Sequence, residues 1–174
     1  MIYTDKTKSF SIKKVNKYIR DSRTVSSILI VGSILSFIYF IVWFISYKIL
    51  NGWDIVLDGD PNASLLKGPL YITVLETMII GPIIETLIFQ KFLYFIATLF
   101  SWFRHNKCRI VILGAFIFGL AHFFTLLYII TTAITGAFFM YLYVIKQHRH
   151  AYWSVVILHS MINGLAIFLN YLDS

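Results

Sequence analysis

The chain has 174 residues, of which 59% are apolar, 18% aromatic and only 13% charged, with a net charge of +7. A soluble domain carries about a quarter charged residues and just under half apolar ones, so a chain with a mean hydropathy of +0.78 cannot hide its apolar residues in one soluble core of this size. What remains is an all-α fold, a single polytopic transmembrane helical bundle.

In chain order, residues 1–24 form a basic arm that holds seven of the fifteen Lys and Arg: Lys6, Lys8, Lys13, Lys14, Lys17, Arg20 and Arg23. Such an arm before an apolar run holds a cytoplasmic terminus against anionic lipid, so the positive charge does not imply nucleic acid. The first apolar run, 25–50, is too wide for a cleaved signal peptide and is expected to be a true span. A polar loop with Asp54, Asp58, Asp60 and Pro61 follows. The second run, 69–103, would be roughly 50 Å long as one helix, against a hydrocarbon core of roughly 30 Å. It is expected to tilt, protrude or break, with Gly81-Pro82 and Lys91 as the candidate places. After the basic break Arg104, His105, Lys107 and Arg109 come a third run, 110–124, and a fourth, 125–145, with almost no loop between them. A second basic break, 146–150, leads into the fifth run, 152–172. Residues 69–172 thus make up a four-helix core behind the first span.

Five spans with a cytoplasmic N-terminus place every basic segment inside and the acidic loop and Asp173 outside. This predicts a multi-pass protein of the cell membrane, in contact with lipid. The single cysteine, Cys108, excludes an internal disulfide and a Cys-rich metal site. Gly114, Gly119 and Gly136, with Ala115 and Ala121, are expected to let helices approach closely. Trp43, Trp53, Trp102 and Trp153 read as interfacial anchors.

Ionisable groups inside spans are costly and mark function. The runs contain Glu76, Glu85, Lys91, His122 and His159, with Asn163 as an uncharged companion. Glu76 lies nine residues from Glu85, hence on the opposite side of an unbroken helix, and is expected near the outer end of its span. Lys91 is expected to snorkel, and His105, His148 and His150 to be solvated. His159 and Asn163, four apart, share one helix face, as do Phe118 and His122. Counted inward from the basic ends, Glu85 lies about 25 Å deep, or about 9 Å if the second run breaks near Lys91. His122 lies at about 20 Å, His159 at about 10 Å and Asn163 at about 16 Å. A carboxylate, two imidazoles and a carboxamide from three helices can therefore meet inside the membrane. A buried carboxylate can act as general base toward water and an imidazole can share or return the proton. A second His with an Asn supplies donors for the oxyanion of a tetrahedral intermediate. Read this way, the set is expected to act as a peptide hydrolase without a serine or cysteine nucleophile.

The segments GPIIETLIFQKFL (81–93), FGLAH (118–122) and HSMIN (159–163), in this order, resemble the motifs EExxxR, FxxxH and HxxxN/D of the CPBP intramembrane proteases. That group includes the CAAX prenyl endopeptidases of the Rce1 type and bacteriocin-processing and immunity proteins. The resemblance implies a catalytic core over about 69–172, a peptide or membrane-anchored substrate and a mechanism without metal or other cofactor. It implies that Glu85 and His122 activate water and that His159 and Asn163 stabilise the oxyanion, with Phe118 in support. The sequence departs from the first motif, where the second glutamate is Thr86 and the arginine is Gln90. Both are neutral, and at i,i+4 they can hydrogen-bond to each other as a supporting pair. Two other readings stand beside this one: a zinc site with Glu85, His122 and His159 as ligands, and a proteolytically silent immunity or scaffold protein.

Overall fold

The computed structural model describes residues 12–48 and 69–173, and the regular elements among them are helices. In chain order these are α1 (Ile12–Asp21), α2 (Thr24–Lys48), α3 (Leu70–Leu99), α4 (Ser101–Arg104), α5 (Lys107–Ala121), α6 (Leu126–Ile145) and α7 (Ala151–Asp173). The acidic loop, Trp53 and the first basic residues, Lys6 and Lys8, lie outside the described residues.

Four helices are long and apolar enough to cross a bilayer: α2 over Thr24–Val42, α3, α6, and α7 over Ala151–Leu169. They make the chain a multi-pass membrane protein. The fifth expected span is α5, whose 15 residues extend about 22 Å, short of the roughly 30 Å core. It forms an antiparallel hairpin with α6 through a turn at 122–125. Both helices of the hairpin start on a polar cap: Asn106 Oδ1 accepts from the Cys108 N–H at 3.0 Å, and Thr125 Oγ1 from the Tyr128 N–H at 3.1 Å. Each cap satisfies an N–H that the helix itself leaves unpaired.

The overlong second run does not break at Gly81-Pro82 or at Lys91. It continues as α3 to Leu99, and the backbone turns extended only at Phe100 (φ −91°, ψ 126°). Two π-helical segments, Glu76–Ile80 and Leu87–Phe92, flank an α-helical stretch Gly81–Thr86 that has Pro82 in its first turn. A π turn bonds i to i−5 and admits an extra residue without ending the helix. That is how α3 accommodates a proline that a regular helix interior would expel.

The helices close on a core that includes Val31 and Leu35 of α2, Ile110 and Phe118 of α5, Phe139, Met140 and Leu142 of α6, and Val155 and Leu158 of α7. The expected small-residue contacts are present at all three glycines. A Cβ on Gly119 would come within 2.7 Å of Ala133 Cβ, one on Gly114 within 2.9 Å of Met140 side-chain carbons, and one on Gly136 within 2.6 Å of Phe118 Cβ. Without a hydrophobic force between helices in lipid, such close approach supplies the dispersion contacts that hold them.

The hairpin and the antiparallel run of α3 and α7 gather the basic segments at one end of the bundle. There α1 is docked on the end of α6. Tyr141 Oη donates to Asn16 Oδ1 at 2.6 Å, and the buried Lys146 ammonium donates to Ser22 O at 2.7 Å and Arg20 O at 3.5 Å. The cation thus meets the unpaired carbonyls at the end of α1, where the helix dipole favours positive charge. His148 and His150 are exposed, as expected, and so are Trp102 and Trp153.

Gly136→Ala is expected to destabilise the bundle by about 1–3 kcal/mol, because the new methyl meets the root of the Phe118 side chain and not a flexible tip. Unfolding in mild detergent checks this. Ile130→Val, a change of one methyl group at an exposed position of α6, is the control and should leave stability nearly unchanged.

Candidate active site

Glu85 stands in the short α-helical stretch of α3 between the two π segments. Gly81, one turn earlier, lets the backbone pass close to Glu76 O, which a Cβ there would approach to 3.0 Å, while Glu85 Oε1 would lie at an ordinary contact distance of 3.5 Å. The carboxyl points into the bundle, toward the end of α5 and the middle of α7. His122 Nε2 lies 3.6 Å and His159 Nε2 3.7 Å from the same oxygen, Glu85 Oε2. The Glu85 side chain is 30% exposed, that of His122 19% and that of His159 4%. Three of the four expected site residues therefore converge on one point.

His122 is held from two sides. It terminates α5 in a non-helical conformation (φ −106°, ψ 52°), and its Nδ1 lies 2.8 Å from Phe118 O. A carbonyl only accepts, so Nδ1 carries a hydrogen, and in the neutral tautomer that this contact selects a bare Nε2 faces Glu85. A bare nitrogen and a carboxylate oxygen are both acceptors. At 3.6 Å they are compatible when a proton is shared between them or when a water donates to both. His159 lies against Phe139, with ring centroids 4.6 Å apart, and edge-on to Phe118 at 5.9 Å. Phe118 is 2% exposed and packs on His122, Phe89 and Phe139 as well. It is the aromatic hub that spaces the two imidazoles.

Asn163 takes a different place. Its Nδ2 donates to Thr77 O at 2.8 Å, on α3 one turn before Gly81. The register explains why that carbonyl is open. The Gly81 N–H bonds to Glu76 O, the i→i−5 pattern, and the same pattern would bring residue 82 to Thr77 O. Residue 82 is proline and has no N–H, so the carboxamide of α7 takes the vacant acceptor. Tyr152, at the start of α7, similarly donates its hydroxyl to Ile83 O at 2.8 Å. Two side chains of α7 thus bind the backbone of α3 on either side of Pro82.

The expected hydrogen bond between Thr86 and Gln90 is not formed. Both side chains are buried completely, yet Thr86 Oγ1 and both amide atoms of Gln90 have no partner in the protein. The π segment beginning at Leu87 widens the turn between them and removes the i,i+4 register on which that expectation rested. Glu76 is exposed at the other π segment, apart from the site, and Lys91 is exposed with its ammonium 5.6 Å from the Tyr152 ring centre. Among the described residues no group of three or more His, Cys, Asp or Glu side chains is arranged to hold a metal ion.

A family model described as Type II CAAX prenyl endopeptidase Rce1-like matches residues 67–165. The chain belongs to this Rce1-like family. The match runs from just before α3 into α7 and so contains Glu85, His122, His159 and Asn163. No curated protein and no solved structure gives a match. The sequence singled out the glutamate, both histidines and the asparagine, but sequence reasoning missed the residues that brace them. Gly81-Pro82 was legible as a helix irregularity, though its effect on Thr77 O was not. Tyr152 and Phe139 had no signal that set them apart from other aromatic residues of the chain.

Asn163→Leu is expected to destabilise the protein by about 1–3 kcal/mol through the orphaned Thr77 carbonyl. In a Pro82→Ala background the restored N–H can take that carbonyl, and the cost should fall by about half or more. A double-mutant cycle in unfolding free energy checks this, and strictly additive effects would refute the account of Pro82.

Proposed function

We propose that this Rce1-like protein is a glutamate-dependent intramembrane endopeptidase, acting on a peptide or membrane-anchored substrate. The observation that carries this reading is the convergence of His122 Nε2 and His159 Nε2 on Glu85 Oε2 inside an apolar bundle. A water lying between Glu85 and His122 donates to both acceptors. As its oxygen attacks the scissile carbonyl carbon, its proton passes to this pair. His159 and the free N–H of the Asn163 carboxamide donate to the oxyanion that forms. The tetrahedral intermediate then breaks its C–N bond, and the pair returns the proton to the leaving amine, which leaves a carboxylic acid and an amine.

The described part of the basic arm (α1), the 104–109 break and the 146–150 break share one end of the bundle, which supports a cytoplasmic N-terminus in the cell membrane. The domain reading follows: an N-terminal arm over 1–24, a first span over 25–50 and a catalytic core over 69–172. Zinc chemistry is not part of the proposed mechanism. The silent immunity or scaffold reading draws on the neutral Thr86 and Gln90, but these sit beside a converged Glu85 and two imidazoles that a scaffold does not need.

The test compares membrane peptidomes of cells that make the wild type or Glu85→Gln, followed by cleavage assays on the identified substrate. Glu85→Gln and His122→Ala are expected to lower kcat by about 10²–10⁴, and His159→Ala by about 10²–10³. A strong chelator should leave the rate unchanged. Full cleavage by Glu85→Gln overturns the mechanism, and loss of activity on chelation with stoichiometric bound zinc favours the metal reading.

A further inference from the structure

Among the described residues, the buried side-chain polar atoms with no hydrogen-bond partner in the protein are Glu85 Oε2, His159 Nδ1, Thr86 Oγ1, Gln90 Nε2 and Gln90 Oε1. The first two belong to the proposed catalytic set. The other three lie on Thr86, the next residue of α3, and on Gln90, four residues further along the same helix. Thr86 and Gln90 are 0% exposed, and the segment carrying Gln90 packs on α5, α6 and α7, so the carboxamide lies within the bundle and not in lipid. A buried hydroxyl or amide left without a partner costs about 1–3 kcal/mol. A valine and a leucine would fill the same places without that cost.

The three atoms are complementary to one kind of ligand. Gln90 Nε2 donates, Gln90 Oε1 accepts and Thr86 Oγ1 does either. The set carries no charge to neutralise an ion and offers donor and acceptor together, as water does. Buried water is held by such groups, typically through about three hydrogen bonds to otherwise unsatisfied atoms. Hydrocarbon around the bundle supplies no water of its own, and every hydrolytic turnover consumes one molecule.

We propose that Thr86 and Gln90 bind internal water beside the Glu85 carboxyl, a hydration site inside the membrane bundle that holds the second reactant close to the carboxylate. The binding of water stands on burial and hydrogen-bonding capacity alone. Its service to hydrolysis rests on the endopeptidase reading.

The experiment uses the full chain in lipid nanodiscs with labelled glutamine side chains. Water-selective NMR transfer to the Gln90 amide is measured in the wild type, Thr86→Val and Thr86→Ser. The expected result is a water signal on Gln90 in the wild type, retained by Thr86→Ser and weakened several-fold in Thr86→Val. A folded wild type without that signal overturns the proposal. In the cleavage assay, Thr86→Val and Gln90→Met are expected to lower kcat by about tenfold with KM unchanged. A raised KM with unchanged kcat would assign the pair to substrate contact and overturn the role of the site in supplying water to hydrolysis. A water signal in a wild type that cleaves no peptide keeps the hydration site and removes the endopeptidase reading instead.

Discussion

A carboxylate inside a membrane bundle has to be matched from within the bundle, because lipid offers it nothing. Here the match is two imidazoles brought to one oxygen of Glu85, and much of the architecture follows from bringing them there. His122 reaches the carboxyl because α5 ends at that residue and Phe118 O fixes its ring. Phe118 can stand between the two imidazoles because Gly136 gives α6 no side chain where that ring sits. His159 needs α7 against α3, and Asn163 and Tyr152 hold it there through backbone carbonyls.

The same constraint governs the backbone. In hydrocarbon every carbonyl needs a donor, and a proline in a membrane helix leaves one without. The π register of Glu76–Ile80 places that vacancy at Thr77, where Asn163 faces it. The asparagine proposed for the oxyanion site therefore also has a mechanical use, since it ties the histidine helix to the glutamate helix. One N–H of its carboxamide suffices for each task.

Much of this was legible in the sequence, for reasons that differ by element. The spans are long apolar runs separated by the charge breaks at 104–109 and 146–150, and four of the five expected runs form helices long enough to cross a bilayer. α5 fell short of a span because its apolar run includes the turn residues around His122, which hydropathy cannot distinguish from helix. Glu85, His122 and His159 were legible because charge is scarce in this chain and spacing put them on compatible faces. The unbroken α3 was not, because helix register is set by hydrogen bonding and not by composition. For the same reason the Thr86–Gln90 bond was expected from an i,i+4 rule that a π turn does not obey. Phe139 and Tyr152 were hidden by abundance: with 11 tyrosines and 16 phenylalanines, no single ring stands out.

The mixed register of α3 also bears on which changes in the gene the site can survive. A π turn behaves as one residue inserted into an α-helix, with the flanking turns left facing as before. Loss of one codon between Thr77 and Pro82 would therefore let Glu76–Ile80 close into α-helix without turning Glu85 away from the imidazoles. Thr77 would then stand four residues before the proline instead of five, and in the tighter register its carbonyl would still lack a donor. The tie to Asn163 would hold. The α-helical stretch Gly81–Thr86 has no such slack, and a codon lost between Pro82 and Glu85 would swing the carboxyl by about 100°. Within one helix, a few residues apart, the same kind of lesion is absorbed in one place and disabling in the other.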